Sequence, residues 1–410
     1  MKSPDVIHRK NCRLCESKKL KTVYKLNPTP IGDDYIKSPH TKQKLYPLIL
    51  KICEKCKFVQ LSHVINPDIV YGKYLYVTQT SSGLPGHFKK LVKTLFSKKI
   101  INEKSKILEI GSNDGTLLDF ISSYGCQVVG VDPARELSRK TKFKTLNKKF
   151  DLKLSKKIKT NYGVFDLIIA NNVIANIDNL KDVFKGISYL LGPNGYFLME
   201  TFSLKGVVEK NLIDNIYHEH LSYFTIKALI KFAKRFGLYI YSADHIPVKG
   251  GSIRFIFSRK KKKHKTKLLN SNIRVEKKLG LGEPNTYLKL KIKNNEIKNK
   301  IQKFIKFETL NGKKFVGYGA SIGTTTLLYE YELGGFVGHL FDDERRRHNL
   351  YSPGYKIKVL NPKKIKKMEP FYIIIFAWRY SDIIMRKSKK YIKSKDIFIR
   401  PLPRFEIIKK

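Results

Sequence analysis

Residues 216–224 read IYHEHLSYF, two histidines around a glutamate with aromatic residues on both sides. Three chemistries suit such a stretch. His218 and His220 on one face of a strand would supply two metal ligands, but no carboxylate or further histidine stands at an obvious spacing to complete the shell. Histidines satisfied inside an aromatic core would be structural. An imidazole, with an ordinary pKa of about 6.5, can instead move a proton near neutral pH. Proton transfer is favoured, because the box follows the strand-like run FLMET at 197–201, which should end at a bound ligand.

Four of the five cysteines form two CxxC pairs, CRLC at 12–15 and CEKC at 53–56. A CxxC knuckle lets two thiolates reach one tetrahedral ion, and two knuckles complete a four-coordinate zinc. Free thiols or a redox pair are the other readings, and no thioredoxin-like pattern surrounds either pair. Cys12, Cys15, Cys53 and Cys56 would close the shell, so the expected zinc is structural.

The third constellation is ILEIGSNDGTLL at 107–118, a strand, a tight turn of small residues and the start of a helix. In a parallel sheet such a turn is where a nucleotide-like ligand lies. It is not GxGxxG. Glu109 ahead of the turn resembles the acidic first-strand motif of class I methyltransferases, whose turn lets backbone approach the amino-acid part of S-adenosylmethionine. Asp132 in VVGVDPA would accept the ribose hydroxyls, and Asn171 and Asn172 in DLIIANNVIANI would lie beneath the cofactor. The expected cofactor site is therefore Glu109, Gly111, Asn113, Asp114, Gly115, Asp132, Pro133, Asn171 and Asn172.

Four regions must position these groups. Residues 1–66 read as a zinc-binding module with short strands such as LYPLIL. Residues 67–258 read as the cofactor-binding domain, in which KILEIG, CQVVGVD, FDLIIANN and GYFLMET are strands alternating with amphipathic segments. That alternation predicts a parallel sheet with crossover helices, and GPNG at 192–195 predicts a turn before the fourth of these strands. Residues 259–309 read as a basic linker, RKKKKHKTK, followed by one or two helices. Residues 310–410 repeat the α/β pattern with KKFVGYGAS, GGFVGHLFDD, FYIIIFAW and KDIFIRPLP.

Together these pieces resemble the C-methyltransferases that modify nucleotide-linked deoxysugars. The likeness runs from CRLC…CEKCKFVQL through YLYVTQTSS, LEIGSNDGTLL and ANNVIANIDN to ETFSLKG…IYHEHLSYFT. It continues through KGGSIRF, VGYGASIGTTTLL, FDDERRRHNLYSPGYKI and IIIFAWRYSDII. The resemblance implies an α/β protein: a class I (Rossmann-like) methyltransferase domain flanked by a small N-terminal zinc-binding module and a C-terminal Rossmann-like α/β domain. It implies S-adenosylmethionine as cofactor and a nucleoside-diphosphate 4-keto-6-deoxy sugar as substrate. A base would remove the C3 proton beside the ketone, and the enolate would attack the sulfonium methyl. His220 matches the base of that family, with Glu219 and Tyr217 assisting by orientation or by stabilising the enolate oxygen. Tyr76, with Tyr74 as the alternative, matches a tyrosine supplied by the N-terminal region.

Asn176, Lys249, Ser252 and Arg254 match the substrate-facing segments. Asn176 stands where the family usually has His, and Lys249 where it usually has His before Gly-Gly-Ser. Both departures bear on the identity of the sugar more than on the reaction. VGYGAS followed by GTTTLL resembles a strand-turn-helix phosphate site, in which Gly317, Gly319 and Ser321 either touch a nucleotide or only shape the turn.

Lys and Arg total 82 against 34 Asp and Glu, a formal charge of +48. That surplus invites the rival reading of a zinc-containing RNA or DNA methyltransferase. A nucleic-acid footprint should cluster, however, and here the lysines are spread along the chain. Base-modifying N-methyltransferases commonly end the fourth strand in Asn/Asp-Pro-Pro-aromatic, and this chain reads ANNV there. Neither nucleic acid nor membrane is expected as a partner. The N-terminus MKSPDVIHRKNC lacks an apolar core and no apolar run is long enough to span a bilayer, so the expectation is a cytoplasmic monomer or homodimer.

Overall fold

The computed structural model describes residues 4–71, 77–81, 83–138, 141–261, 266–368, 372–392 and 397–408. The apolar runs of the central region form a seven-stranded sheet. Its spatial order is Tyr239–Ile246, Ser252–Ser258, Leu191–Phe202, Phe165–Asn171, Lys106–Ile110, Gln127–Val131, Thr145–Leu146. The last five are parallel, and Ser252–Ser258 runs antiparallel to both of its neighbours. Parallel strands are covered on both faces, which is why they read as continuous apolar runs. On one face Ile107, Ile169 and Leu198 meet Phe88, Leu91 and Leu95 of the helix Leu84–Ser97. On the other, Ile168, Phe197 and Phe257 meet Phe184 and Phe232 of the helices Leu180–Leu190 and Ile226–Lys234. The turn predicted at 192–195 is instead absorbed into the Leu191–Phe202 strand, as a register shift between Leu191 and Tyr196.

The N-terminal region forms an antiparallel sheet of Leu20–Thr29, Tyr46–Cys53 and Val59–Leu61. Its fourth strand is borrowed: Ser222–Tyr223, directly after the histidine box, pairs with Val59 and Gln60. The C-terminal sheet has the order Lys358–Leu360, Val337–Phe341, Phe315–Tyr318, Tyr372–Ile375, Ile397–Arg400, Glu406–Ile408. Its first five strands are parallel and the last is antiparallel. This is the α/β architecture expected from the sequence.

The polar-apolar stretch ahead of the C-terminal sheet forms two helices, Thr266–Lys278 and Pro284–Leu310. Residues 262–265 of the basic run lie outside the described residues. Asn294 is fully buried in the second helix; its amide donates to Glu330 at 3.0 Å and its carbonyl oxygen accepts from Tyr331 at 2.9 Å. Glu330 in turn accepts the Asn27 N–H at 3.0 Å, which joins the N-terminal sheet to this network.

One contiguous apolar core runs through the three larger sheets, including Leu50 and Phe58, then Phe184 and Phe224, then Ile305 and Ile374. No helix among the described residues is long and apolar enough to cross a membrane. Phe224, 1% exposed, stands at the junction with its ring 5.6 Å from that of Phe58. Phe224→Ala is expected to cost about 3–5 kcal/mol, read as a shift of the urea midpoint. A loss below about 1 kcal/mol would show that this ring does not hold the two sheets together.

Candidate active site and metal centre

A cavity of about 940 Å³ opens at the carboxyl ends of the central strands. Its floor is the glycine-rich turn, and its walls come from the loop carrying Asp33, the segment 214–220 and the C-terminal residues 321–323, 342–347 and 379–380. It brings together Glu109, Gly111, Asn113, Asp132, Asn171, Asn172, Asn176, Tyr217, Glu219, His220, Lys249 and Ser252.

The turn takes its shape from backbone that few residues tolerate. Gly111 has φ 77°, and a Cβ there would sit 2.1 Å from Val173 Cγ2. Asn113, also left-handed at φ 50°, donates its N–H to Asp132 Oδ2 at 2.8 Å, while its side-chain oxygen accepts the Thr78 N–H at 3.0 Å. Asp132 Oδ1 accepts the Ala134 N–H at 2.7 Å. Around this frame the buried polar atoms Glu109 Oε2, Ser112 Oγ, Asn171 Nδ2 and Asn171 Oδ1 have no hydrogen-bond partner among the described residues. Such groups are costly unless a ligand satisfies them. Burial, then the charges of Asp132 and Asp114, push the Glu109 carboxyl well above its usual range. An ammonium group placed there would relieve it, so these residues fit the amino-acid end of S-adenosylmethionine.

Four expected site residues do not line the cavity. Asp114 does not line the cavity; its carboxylate accepts from the Thr116 hydroxyl at 2.6 Å and the Thr116 N–H at 3.1 Å, and from the Gln79 N–H at 2.8 Å. Pro133 is exposed, outside the cavity wall. Arg254 lies opposite Glu200 in the antiparallel register, and its guanidinium pairs with that fully buried carboxylate at 2.7 and 2.9 Å, alongside His87. Gly115 shapes the helix start at φ 78° without lining the cavity. Tyr74 and Tyr76 lie outside the described residues.

The histidine box is a turn rather than a strand, and it separates its two imidazoles. His218 points into the N-terminal sheet, with Nε2 3.3 Å from the Tyr46 carbonyl and its ring edge-on to that tyrosine. His220 faces the cavity, stacked on Phe202 at 4.1 Å between centroids. No shared metal site forms. His220 Nδ1 donates to the Asn215 carbonyl at 2.8 Å, and its Nε2 accepts from the Tyr217 hydroxyl at 2.7 Å. A carbonyl only accepts, so the imidazole proton sits on Nδ1 and the lone pair on Nε2. Burial, then the nearby cations Lys249 and Arg379, push its pKa down to about 3. Glu219 moves the other way, up to about 8, through burial and the charge of Asp33. Near pH 7 both groups are neutral: a base whose Nε2 lone pair is engaged by the Tyr217 hydroxyl, beside an acid that still holds its proton.

Sequence reading missed the residues that close the cavity from the C-terminal side. Arg347 reaches Asp33 at 2.8 Å, and Arg379 reaches Asp214 at 2.6 and 2.8 Å. In the C-terminal turn, a Cβ on Gly317 would press on Leu340 and Phe376, and one on Gly319 on Ala377, so both glycines serve close packing. Of the three residues in question there, Ser321 alone lines the cavity.

The four cysteines come together from two similar knuckles. Glu16 and Lys57 each close a turn with φ 62° and bond back to Cys12 and Cys53. Cys12 and Cys56 Sγ lie 3.5 Å apart, as do Cys15 and Cys53, and all four sulfurs fall within 4.8 Å. That is far beyond disulfide bonding, and it suits thiolates at roughly 3.8 Å around a tetrahedral zinc with Zn–S about 2.3 Å. The shell is complete and stands apart from the cavity lining, so the ion is structural.

Comparison with known proteins adds three consecutive family matches. They are "Putative zinc binding domain" over residues 12–71, "Methyltransferase domain" over 82–243 and "C-methyltransferase C-terminal domain" over 247–403. C-methyltransferase NovU of Streptomyces niveus is 27% identical over 404 residues, which is 97% of this chain and 96% of NovU. Among solved structures, the PH0226 protein of Pyrococcus horikoshii OT3 aligns with a TM-score of 0.37 at 19% identity, over 46% of this chain and 98% of its own. Magnesium protoporphyrin IX methyltransferase of Synechocystis PCC 6803 aligns with a TM-score of 0.34 at 14% identity, over 43% and 84%.

Purified protein is expected to carry one zinc ion per chain, and Cys53→Ser to lose it and to destabilise the N-terminal sheet by several kcal/mol. Elemental analysis together with thermal unfolding tests this. Full zinc retention by the variant would remove Cys53 from the ligand set.

Proposed function

The chain belongs to the S-adenosylmethionine-dependent C-methyltransferases, and from that premise we propose that it methylates C3 of a nucleoside-diphosphate 4-keto-6-deoxy sugar. One observation carries the reading: the glycine-rich turn and a neutral imidazole with its lone pair on Nε2 face the same cavity. Carbon has no lone pair with which to attack, so its methylation needs an acidic C–H and a positioned base. A ketone beside C3 supplies the acidity, and His220 Nε2 supplies the base. S-adenosylmethionine, when bound, supplies the methyl group as an electrophile; Glu109, Asp132, Asn171 and Asn172 would hold it.

The acceptor carbon displaces the Tyr217 hydroxyl from Nε2, which leaves that hydroxyl available to the ketone oxygen. Protonated Glu219 donates a second hydrogen bond there. Two donors aimed at one oxygen stabilise the enolate as its charge develops. The cations Lys249, Arg345 and Arg346 on the cavity wall suit a diphosphate. Asn176, whose buried Oδ1 has no partner among the described residues, offers an acceptor to a sugar hydroxyl.

The first test incubates enzyme, S-adenosylmethionine and a panel of nucleotide-linked 4-keto-6-deoxy sugars in deuterated water, with mass spectrometry following exchange and methyl gain. Methyl gain on one sugar identifies the substrate. Neither signal, with RNA methylated in parallel, would replace the sugar reading by the nucleic-acid one. His220→Asn is expected to lower exchange and turnover by about 10²–10⁴-fold while cofactor affinity stays within about threefold; unchanged turnover removes His220 as base.

Glu219 predicts the pH response. Its carboxyl is raised, so the donor form is present below pH 8 and is lost as pH rises through about 8. Wild-type turnover should therefore fall on that alkaline limb, and Glu219→Gln, a permanent donor, should flatten it. An alkaline limb that survives in Glu219→Gln would assign the limb to another group.

A further inference from the structure

Asp214 is a carboxylate that the mechanism above does not use. It is 2% exposed, and its oxygens accept from Trp378 Nε1 at 3.0 Å, Arg379 Nη1 at 2.6 Å and Arg379 Nη2 at 2.8 Å. Both donors belong to the C-terminal region. Asp214 also lies against the start of the helix Ile322–Glu330, where a Cβ on Gly323 would come within 3.0 Å of its carbonyl and 3.3 Å of Oδ2. In the strand-turn-helix of a Rossmann-like sheet, that corner ordinarily faces a ligand's phosphate. Here it meets a carboxylate of the same chain.

The grip extends to the two residues that follow Asp214. Arg379 Nη2 also donates to Asn215 Oδ1 at 3.1 Å, and Thr326 Oγ1 donates to the Ile216 carbonyl at 3.3 Å. Between them stands the Asn215 carbonyl, which accepts the His220 Nδ1–H. Arg379 is packed in turn against the Val248–Gly250 turn, where a Cβ on Gly250 would come within 2.6 Å of its Nε. The guanidinium is thus fixed from two sides and cannot swing without releasing Asp214.

We propose that Arg379, seated by Trp378, is a positioning residue: by gripping Asp214 it holds the Asn215 carbonyl on His220 Nδ1 and so keeps the Nε2 lone pair facing the acceptor carbon. The proposal rests on His220 as the base for its catalytic meaning, but the geometric link from Arg379 to the imidazole stands apart from that reading. It differs from a direct contact between Arg379 and an anionic substrate, which would act on KM. It also differs from a general role in stability, which would leave the tautomer of the folded fraction unchanged.

The test uses full-length, zinc-loaded protein labelled with ¹⁵N in its histidine rings, with the His220 signals identified by their loss in His220→Asn. Wild type is expected to show the Nδ1–H tautomer alone at His220. Arg379→Ala is expected to give a mixture of tautomers and to lower kcat by about tenfold to hundredfold, with KM within about threefold. Added guanidinium should restore both readouts in part. Asp214→Asn keeps the shape and loses the charge, and it should move the same two readouts in the same direction if Arg379→Ala does not fold.

An unchanged His220 tautomer in both folded variants overturns the proposal, as does a rise in KM with kcat unaltered. Failure of the base reading looks different. His220→Asn would then retain exchange and turnover, while the tautomer in Arg379→Ala would still be mixed.

Discussion

A buried imidazole can take a proton from carbon only if its other nitrogen is held by an acceptor that does not move. In this structure that acceptor is a backbone carbonyl, Asn215, at 2.8 Å from His220 Nδ1. A carbonyl in a turn is as fixed as the turn itself, so both ends of the segment 214–223 have to be anchored. At one end Asp214 is gripped by Trp378 and Arg379. At the other, Ser222 and Tyr223 enter the N-terminal sheet as its edge strand. Between the anchors, Leu221 N–H bonds the Ala175 carbonyl of the central region at 2.9 Å. The turn that carries His220 therefore belongs to no single sheet, and the three larger sheets must be assembled for it to have one shape.

Burial by three walls also sets the electrostatics. The same desolvation pushes His220 down and Glu219 up, because it disfavours whichever form is charged. The resting pair is uncharged, so closing the cavity leaves neither an imidazolium nor a carboxylate uncompensated at these two groups. In the proposed reaction charge appears only when the proton leaves carbon, and there Tyr217 and Glu219 would donate to the oxygen. A solvated histidine would be a stronger base at rest but would meet an enolate without preorganised donors.

Much of this was legible in the sequence where the signal is local. Period and composition placed four strands of each α/β sheet, of seven and six, and the paired CxxC spacing placed the four thiols together. The glycine turn with Glu109 and Asp132 marked the cavity floor. What escaped is what depends on register or on distant pairing. HEH has the spacing of one strand face, but the turn sends His218 to Tyr46 and His220 to the cavity. Arg254 sits two residues beyond Ser252, yet its register opposite Glu200 turns it into a cross-strand partner. Asp33 and Arg347 are 314 positions apart and Asp214 and Arg379 are 165 apart, so no local pattern could pair them. Asp114 looks like a ligand residue in SNDG, but its carboxylate is taken up by Thr116 and by the Gln79 N–H.

The +48 charge gains meaning from where the arginines stand. Acidic residues are scarce, yet each pair of sheets is joined by an arginine on an aspartate. Arg13 of the N-terminal region reaches Asp178 of the central region at 2.9 Å, and its Nη1 also donates to the Leu61 carbonyl. Arg347 of the C-terminal region reaches Asp33 of the N-terminal one, and Arg379 reaches Asp214 of the central one. The arginine side chains are 0%, 14% and 18% exposed, whereas most lysine pairs, such as Lys44–Asp5 and Lys149–Asp68, stand in solvent. Exposed pairs of that kind contribute little. A lysine is a point charge on a flexible stem, whereas a guanidinium is a planar fork that constrains direction as well as distance. At a junction whose purpose is to fix one carbonyl, direction is the quantity that matters. The surplus of lysine is then largely a matter of the solvated surface, and the few arginine–aspartate junctions carry the geometry of the site.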